Sequence, residues 1–580
     1  MVSHCGRYAV VFNGEIYNHH ALRQELEQLG VAPAWRGHSD TEALLASVNH
    51  WGFDGALERF NGMFAIALWD KQERTLFLAR DRMGEKPLYY GWQNGVLLFG
   101  SELKALRSHP VWQGEIDRDA LASFLRFSYV PAPHSIYKGI YKLPPAHYLA
   151  LRSPEYVTAI PQAYWSIRQV ALEGTANSFS ENATFLVDEL DVRLQKAVAI
   201  RMESDVPLGA FLSGGYDSST IVAMMQAKSS RPVRTFSIGF QESDFDEAPH
   251  ARAVAEHLGT DHTELYVTPS DALNVIPKLP DIWDEPFSDS SQIPTYLLSA
   301  LTRRSVTVSL SGDGGDELFG GYERYHKALE IWRKLSLIPG WIRRLSSSMV
   351  DHLAVPISNR FSSLPGLQAM SNFLVRAERL SGLVRSASTE ELYLHMVSHW
   401  KSPAEMVIGA KRDLLLEGQI AHWRELSGFA HQMMYLDMCT YLPDDILAKV
   451  DRASMAVSLE ARVPLLDHEV VEFAWQVPLA AKIRNGNGKW ILREVAHRYV
   501  PKVIMERPKM GFGVPIEQWL RGPLREWGES LLDEQRLKRE GYFDPGPVRK
   551  MWQEHQQGQG LWHYCLWDIL MFQAWLERWR

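Results

Sequence analysis

Val206-Pro-Leu-Gly-Ala-Phe-Leu-Ser213-Gly214-Gly215-Tyr216-Asp217-Ser218-Ser219 is an apolar run that ends in a Ser-Gly-Gly turn and passes directly into a helical pattern, Ser218 to Gln226. Glycines allow a tight turn and close approach of backbone to an anion. The unsatisfied N–H groups and the dipole of the following helix attract negative charge. A Gly-Gly pair can also be mere loop punctuation, but Ser213, Asp217, Ser218 and Ser219 place hydroxyls and a carboxylate where a phosphate and its divalent cation need partners. No Gly-Lys-Ser/Thr follows, so this is not a Walker loop.

Outward from this loop, Leu208 to Leu212 reads as a strand, followed by strands over Val233 to Phe240, His262 to Val267 and Val306 to Leu310, with a helix over Glu247 to Leu258. That alternation predicts a parallel, doubly wound sheet, whose ligands sit at the carboxyl ends of the strands, where Ser213 lies. The strand ending at Leu310 leads into Ser311-Gly312-Asp313-Gly314-Gly315-Asp316-Glu317, a second glycine-rich turn crowding three carboxylates. Crowded carboxylates repel unless a cation or donors compensate, which makes Asp313 and Asp316 candidates for a Mg²⁺ site. Alone the turn reads as acidic and solvated; paired with the Ser213 loop at one sheet edge it reads as a second wall of a nucleotide site.

The string SGGYDSS resembles the pyrophosphate loop of ATP pyrophosphatases, which cleave ATP between its α and β phosphates. Together with Thr235 to Phe240 (TFSIGF), Ser311 to Tyr322 (SGDGGDELFGGY), Val450 to Met455, Leu459 to Asp467 and Arg507 to Pro515, it resembles the synthetase domain of glutamine-dependent asparagine synthetases. The resemblance implies ATP and Mg²⁺ as cofactors. Leu212 and Ile238 would line the adenine and ribose site, and Ser213, Gly214, Gly215, Asp217 and Ser218 would surround the pyrophosphate. Ser311 and Gly312 would touch ATP, and Asp217 and Asp316 would hold Mg²⁺. Asp313 would stand at the acidic position linked to the β-aspartyl-AMP intermediate, where the family often carries Glu. Lys509 would be the loop lysine that offsets charge on the transferring phosphate; without the resemblance it reads as a solvated surface lysine. The weaker Asp284-Glu285-Pro286 run lies near the acceptor or caps a helix.

The 580 residues exceed the roughly 150 expected of one domain. From Arg7 to about Leu151 short β-like runs (Tyr8 to Phe12, Met63 to Trp69, Thr75 to Ala79, Val96 to Phe99) and a helix from His20 to Leu29 predict an α+β layered domain. Between Ser166 and Ala183 periodicity is lost, which predicts a linker. The expected division is 1–151, a connecting segment 152–183, and 184–580, with a helical elaboration from Tyr322 to His431.

In the amino-terminal part, Val11 to Asn18 (VFNGEIYN), Ser39 to Glu42 (SDTE) and Ala79 to Tyr89 (ARDRMGEKPLY) match the same family's glutaminase domain. The fold class implied is an incomplete N-terminal-nucleophile (αββα) glutaminase-like domain followed by a doubly wound ATP-pyrophosphatase synthetase domain with helical elaborations. By resemblance Asn13, Gly14, Glu15 and Asp40 hold glutamine, although a strand followed by an Asn-Gly turn explains the first two equally well. The family begins with a Cys directly after the initiator Met. This chain begins Met1-Val-Ser-His-Cys5, and Cys5 has four residues ahead of it, so it lacks the free α-amino group such a nucleophile uses as its base. The expectation is synthesis from free ammonia, with no glutaminase activity.

Net charge is −8, with 61 Lys+Arg against 69 Asp+Glu and no long single-sign run, so neither nucleic acid nor a membrane surface is an expected partner. Three cysteines without paired spacing argue against a disulfide framework, a zinc site or a thiol relay and fit a reducing, cytoplasmic setting. The sequence is compatible with a homo-oligomer. The expected partners are small molecules: ATP, aspartate or another carboxylate, and ammonia or glutamine. The leading expectation is an ATP-dependent amide ligase converting aspartate to asparagine. Amidation of another carboxylate, such as a sugar acid of a surface polysaccharide, and a catalytically silent ATP-binding protein are the alternatives.

Overall fold

The computed structural model describes residues 1–152, 159–180, 182–240, 246–339, 343, 383–411, 414, 420–506 and 513–579. Its amino-terminal part is built on strands β1 (Tyr8–Ile16), β2 (Gly62–Asp70), β3 (Thr75–Arg80), β4 (Tyr89–Gln93), β5 (Val96–Gly100), β6 (Ile140–Lys142), β7 (His147–Arg152) and β8 (Gln162–Ala163). A five-stranded antiparallel sheet runs β1-β2-β3-β7-β8, and a three-stranded one runs β5-β4-β6. The period-2 alternation of β2 explains how they stack. Phe64, Ile66 and Leu68 join Leu44, Val48 and Leu57 of the helix Asp40–Arg59 on one face, while Ala65 and Ala67 join Leu88, Tyr90 and Leu143 on the other.

The carboxyl-terminal part holds β9 (Leu208–Phe211), β10 (Arg234–Phe240), β11 (Asp261–Val267), β12 (Val308–Leu310) and β13 (Glu460–Arg462). These form one parallel sheet in the order β11-β10-β9-β12-β13. Strand order reverses at β9: the chain moves outward through β10 and β11, then returns to place β12 on the other side. Because β9 and β12 are neighbours, with Leu310 opposite Ala210, the loops leaving their carboxyl ends emerge side by side. This is the crevice in which open α/β sheets bind ligands.

One sequence reading changes. The expected linker contains a helix, Ile167–Ala176, started by the Ser166 side chain accepting from the Gln169 N–H. Its Ala171 is fully buried in the large core, and Gly174 lies against the Trp475 backbone and Cβ, closer than a methyl group would fit. Ten residues are too few for a strong periodic signal, and the partner, helix His468–Gln476, is some three hundred positions away. Within 322–431, helices Glu323–Ser336 and Thr389–Val397 are present, while most of 340–382 lies outside the described residues. Among the described residues no helix is long and apolar enough to cross a membrane.

Among the described residues, Lys482 is a buried cation with no acid paired to it. Lys482 is 1% exposed, its ammonium 5.1 Å from the centre of the Trp475 ring, and burial pulls its pKa down to about 7. A lysine whose folded pKa is depressed costs stability in full below that pKa, and the cost disappears as pH rises towards the unfolded value. Lys482→Met should therefore stabilise the protein by roughly 2–4 kcal/mol near pH 7, after allowance for the lost ring contact. The gain in thermal midpoint should persist at pH 6 and shrink steadily between pH 7 and pH 10. A lower midpoint for the variant at pH 6 would show that the ammonium is stabilising where it sits.

The two parts share a core. Tyr89, Leu98, Phe124 and Ile136 pack in one cluster with Ile238, Trp283, Phe287, Leu566 and Trp567. At the seam, Asp81 accepts hydrogen bonds from the backbone N–H groups of Phe64, Met83, Gly84, Glu85 and Lys86. This fixes the turn so that the Lys86 ammonium reaches Asp451 at 2.8 Å. Asp284 and Glu285 also belong to this seam. Asp284 accepts from the Leu103 N–H at 2.7 Å and lies 3.4 Å from Arg452, and Glu285 pairs with Lys142 at 2.5 Å.

Candidate active site

The loops after β9 and β12 face one cleft of about 790 Å³, which Leu212, Ser213, Asp217, Ile238, Asp313 and Asp316 help to line. In the first loop the Ser213 hydroxyl and the Ser218 hydroxyl are 3.0 Å apart, and the Gly215 N–H donates to Ser213 Oγ at 3.3 Å. Gly214 takes φ +71°, and a Cβ there would lie 2.8 Å from the Ala251 nitrogen, so only glycine turns the chain here. The helix Tyr216–Lys228 begins immediately and aims its first N–H groups into the cleft.

The second loop is pressed against the first. A Cβ on Gly312 would lie 2.6 Å from the Ser218 nitrogen, and one on Gly315 would lie 2.5 Å from Asp217 Oδ1. Asp313 is half-buried and accepts a short hydrogen bond from the Ser311 hydroxyl. Burial raises its pKa above the usual carboxylate range, against the lowering effect of that hydroxyl. Burial, then the nearby Asp316 charge, pushes Glu317 up to about 7.

Lys489 joins the two loops, and the sequence reading did not select it. It ends the Gly486-Asn487-Gly488 turn with φ +60° and is 7% exposed. Its ammonium contacts the Asp217 carboxylate and lies 2.9 Å from Asp316 Oδ1. Burial works against its charge, but the two carboxylates outweigh it and hold the pKa above normal. Its backbone N–H donates to the Phe319 carbonyl at 2.8 Å, tying the turn to the end of the second loop. Lys449, one position before a motif quoted above, also lines the cleft and bonds Asp289 at 2.7 Å and Ser291 at 2.8 Å. A Gly-Asn-Gly-Lys string reads locally as a surface hairpin, so only the long-range contact reveals Lys489. The expected loop lysine, Lys509, lies outside the described residues.

In the amino-terminal part, β1 carries Asn13, Gly14 and Glu15 to the start of the helix Asp40–Arg59. Asn13 donates to the Ser101 hydroxyl at 3.0 Å, and Asp40 accepts from the Ile16 N–H at 2.9 Å. Gly14 takes φ +142°, and a Cβ there would fall 2.0 Å from the Met63 carbonyl oxygen. Glu15 is raised to about 7, first by burial and then by the Asp40 charge. A nearby cavity of about 460 Å³, bordered by Met1 to Cys5, Arg36 to Ser39, Glu42 and Asn49, is not lined by any of these four residues. Cys5 is exposed and donates to Asn49 Oδ1 at 3.2 Å. Arg462 bridges the two parts: its carbonyl accepts from the Ser311 N–H at 2.8 Å, and its guanidinium lies 3.7 Å from Glu15.

Comparison with known proteins bears on the whole chain. A glutamine amidotransferase domain model matches residues 1–165, and the asparagine synthase model matches residues 189–577. Asparagine synthetase (glutamine-hydrolysing) 1 of Bacillus subtilis strain 168 is 33% identical over 573 residues, covering 98% of this chain and 85% of the relative. A putative asparagine synthetase (glutamine-hydrolysing) of Mycobacterium tuberculosis strain H37Rv is 35% identical over 578 residues, covering 98% and 84%. Amidase chyE of Penicillium rubens is 27% identical over 92% of this chain and 81% of its own length. A solved glutamine phosphoribosylpyrophosphate amidotransferase from B. subtilis covers 47% of this chain and 51% of its own at 15% identity, with a TM-score of 0.21, too slight a likeness to bear on the fold. The two glycine loops on adjacent parallel strands and the family model matched across them lead to one conclusion: the chain belongs to the asparagine synthase family of ligases.

Proposed function

We propose that the chain converts aspartate to asparagine at the expense of ATP, through a β-aspartyl-AMP intermediate, with 1–151 as an amidotransferase part, 152–183 as a connection and 184–580 as the synthetase part. The observation that carries this reading is the Lys489 ammonium held between Asp217 and Asp316 at the meeting of the two glycine loops. A carboxylate is a poor acyl electrophile, so its oxygen first attacks the α-phosphorus of ATP and displaces pyrophosphate. Ammonia then attacks the mixed anhydride, and AMP departs. In this reading Gly214, Gly215 and Ser218 cradle the pyrophosphate with backbone N–H groups, and Lys489 offsets the charge gathering on it. Leu212 and Ile238 flank the adenosine, and Ser311 and Gly312 close over it. Asp313, with its raised pKa, takes a proton from the attacking nitrogen.

Asp217 and Asp316 both come within reach of one ammonium, so their oxygens are close enough to share a cation, and an all-oxygen donor pair suits Mg²⁺. Bound there, Mg²⁺ would neutralise the leaving pyrophosphate. Asn13, Gly14, Glu15 and Asp40 form the proposed glutamine-binding group. In this reading the nitrogen enters as ammonia.

A second reading keeps the chemistry and enlarges the acceptor. A cavity of about 330 Å³ shares Asp289, Ser290 and Tyr441 with the main cleft and continues past Arg324, Tyr393 and His399, and an amidase is among the relatives. The test is pyrophosphate release with Mg-ATP and aspartate, comparing ammonium chloride with glutamine. Ammonium-dependent release supports the proposal. Release with glutamine would overturn the ammonia assignment, and ATP binding without aspartate-dependent release would favour the larger acceptor.

A further inference from the structure

Beyond the proposed glutamine group, β1 leads into a helix, His19–Gln28, that opens with two consecutive histidines. His19 is 8% exposed, and its Nδ1 lies 3.0 Å from the Ile16 carbonyl. A carbonyl only accepts, so Nδ1 carries the proton and Nε2 is left with its lone pair. His20 packs its ring against that of His19, with centroids 4.1 Å apart. The Nε2 of His20 contacts the Glu203 carboxylate, which follows the helix Ala183–Arg201 of the other part of the chain. The ligand atoms of His19, His20 and Glu203 all lie within 4.8 Å of one another.

We propose that His19, His20 and Glu203 bind one divalent transition-metal ion of the Zn²⁺ class, which pins the amino-terminal part to the synthetase part. Two neutral imidazoles and one carboxylate are the donors that such borderline ions prefer, and the hydrogen bond from His19 Nδ1 to a backbone carbonyl is the outer contact that orients a ligating histidine. The outer edges of His20 and Glu203 face solvent, which gives the ion a way in and leaves room for water to complete its coordination. A solvent-exposed His–Glu pair contributes little by itself and gives no reason for the buried His19 nitrogen to converge on the same point.

The position joins two structural paths. On one side His19 is tied to Ile16, next to Glu15. On the other, the Glu203 carbonyl accepts from Arg462 at 2.6 Å, and the Arg462 carbonyl in turn accepts from the Ser311 N–H. An ion here fixes the distance between the strand carrying Glu15 and the strand leading to the ATP cleft.

The test uses the full chain, stripped with a chelator and titrated with Co²⁺ while visible d–d absorption is followed, then challenged with Zn²⁺. The expected result is one equivalent of Co²⁺ in an imidazole-containing site, displaced by Zn²⁺. His20→Ala and Glu203→Gln should each weaken binding by about 10–100-fold. Metal should raise the thermal midpoint of the parent and not of the variants. Both substitutions are on the surface, so folding is retained. Absence of micromolar binding by the parent, or equal binding by both variants, overturns the site, the latter by assigning the ion to other histidines.

Discussion

Lys489→Ala should lower the rate of pyrophosphate release by about 10²–10³-fold, the range seen when one preorganised donor is removed from a site of developing charge. Two effects add. The pyrophosphate loses the cation aimed at it, and Asp217 and Asp316, which now share that cation, are left facing each other without it, a costly arrangement in a partly dehydrated cleft. The second effect also lowers stability, and a second variant separates it from the first. Lys489→Met combined with Asp316→Asn removes the repulsion with the charge, so its thermal midpoint should recover while pyrophosphate release stays low. Lys489→Arg should not rescue the rate, because the Lys489 side chain threads past Gly321, where a Cβ would already lie 2.1 Å from Lys489 Cε, and the wider guanidinium has no room. A Lys489→Ala enzyme with a parental rate would remove Lys489 from the chemistry.

Gly312→Ala should abolish measurable ATP-dependent pyrophosphate release and lower stability by about 1–3 kcal/mol, the usual cost of forcing a methyl group into a filled site. The new Cβ would meet the Ser218 nitrogen at 2.6 Å and the Asp217 carbonyl carbon at 2.8 Å. Both are backbone atoms at the start of a helix, so neither can swing aside as a side chain would. The two loops must separate, and the phosphate cradle and its facing wall move apart together. Gly37→Ala is the control: a Cβ there meets no atom within 4 Å, and the rate should be unchanged. ATP binding measured alongside the rate will show whether the loss lies in the cradle. Parental ATP affinity in Gly312→Ala would mean that the loops do not clasp the nucleotide between them.

Local signals were enough for the two glycine loops that face the cleft. The apolar strand before Ser213, the glycine turn and the helix after it are contiguous, and so are the strand and turn at Ser311. Each unit states its own geometry, and the alternation of strand and helix predicts the parallel sheet that sets them side by side. Lys489 was missed because its meaning depends on Asp217 and Asp316, each more than one hundred and seventy positions earlier, while its own Gly-Asn-Gly context looks like an ordinary turn. The helix Ile167–Ala176 was missed for a related reason. Its apolar side is matched to Trp475 and helix His468–Gln476, and ten residues carry too little periodicity to declare it alone. The Asp284-Glu285 run was legible as an acidic cluster only; its partners, Arg452 and Lys142, place it at the seam.

Tyr89, Phe124 and Ile136 from one part and Trp283, Phe287 and Trp567 from the other bury one another in a common core, so the covalent joint near residue 170 is not where the molecule divides physically. Exchanging the first 165 residues for those of a relative would graft a mismatched half of an interior, and hybrids of this kind should succeed only when the opposing aromatic residues are transferred with them. The two parts are therefore inherited as one object, and drift in either half is constrained by what the other will still pack against.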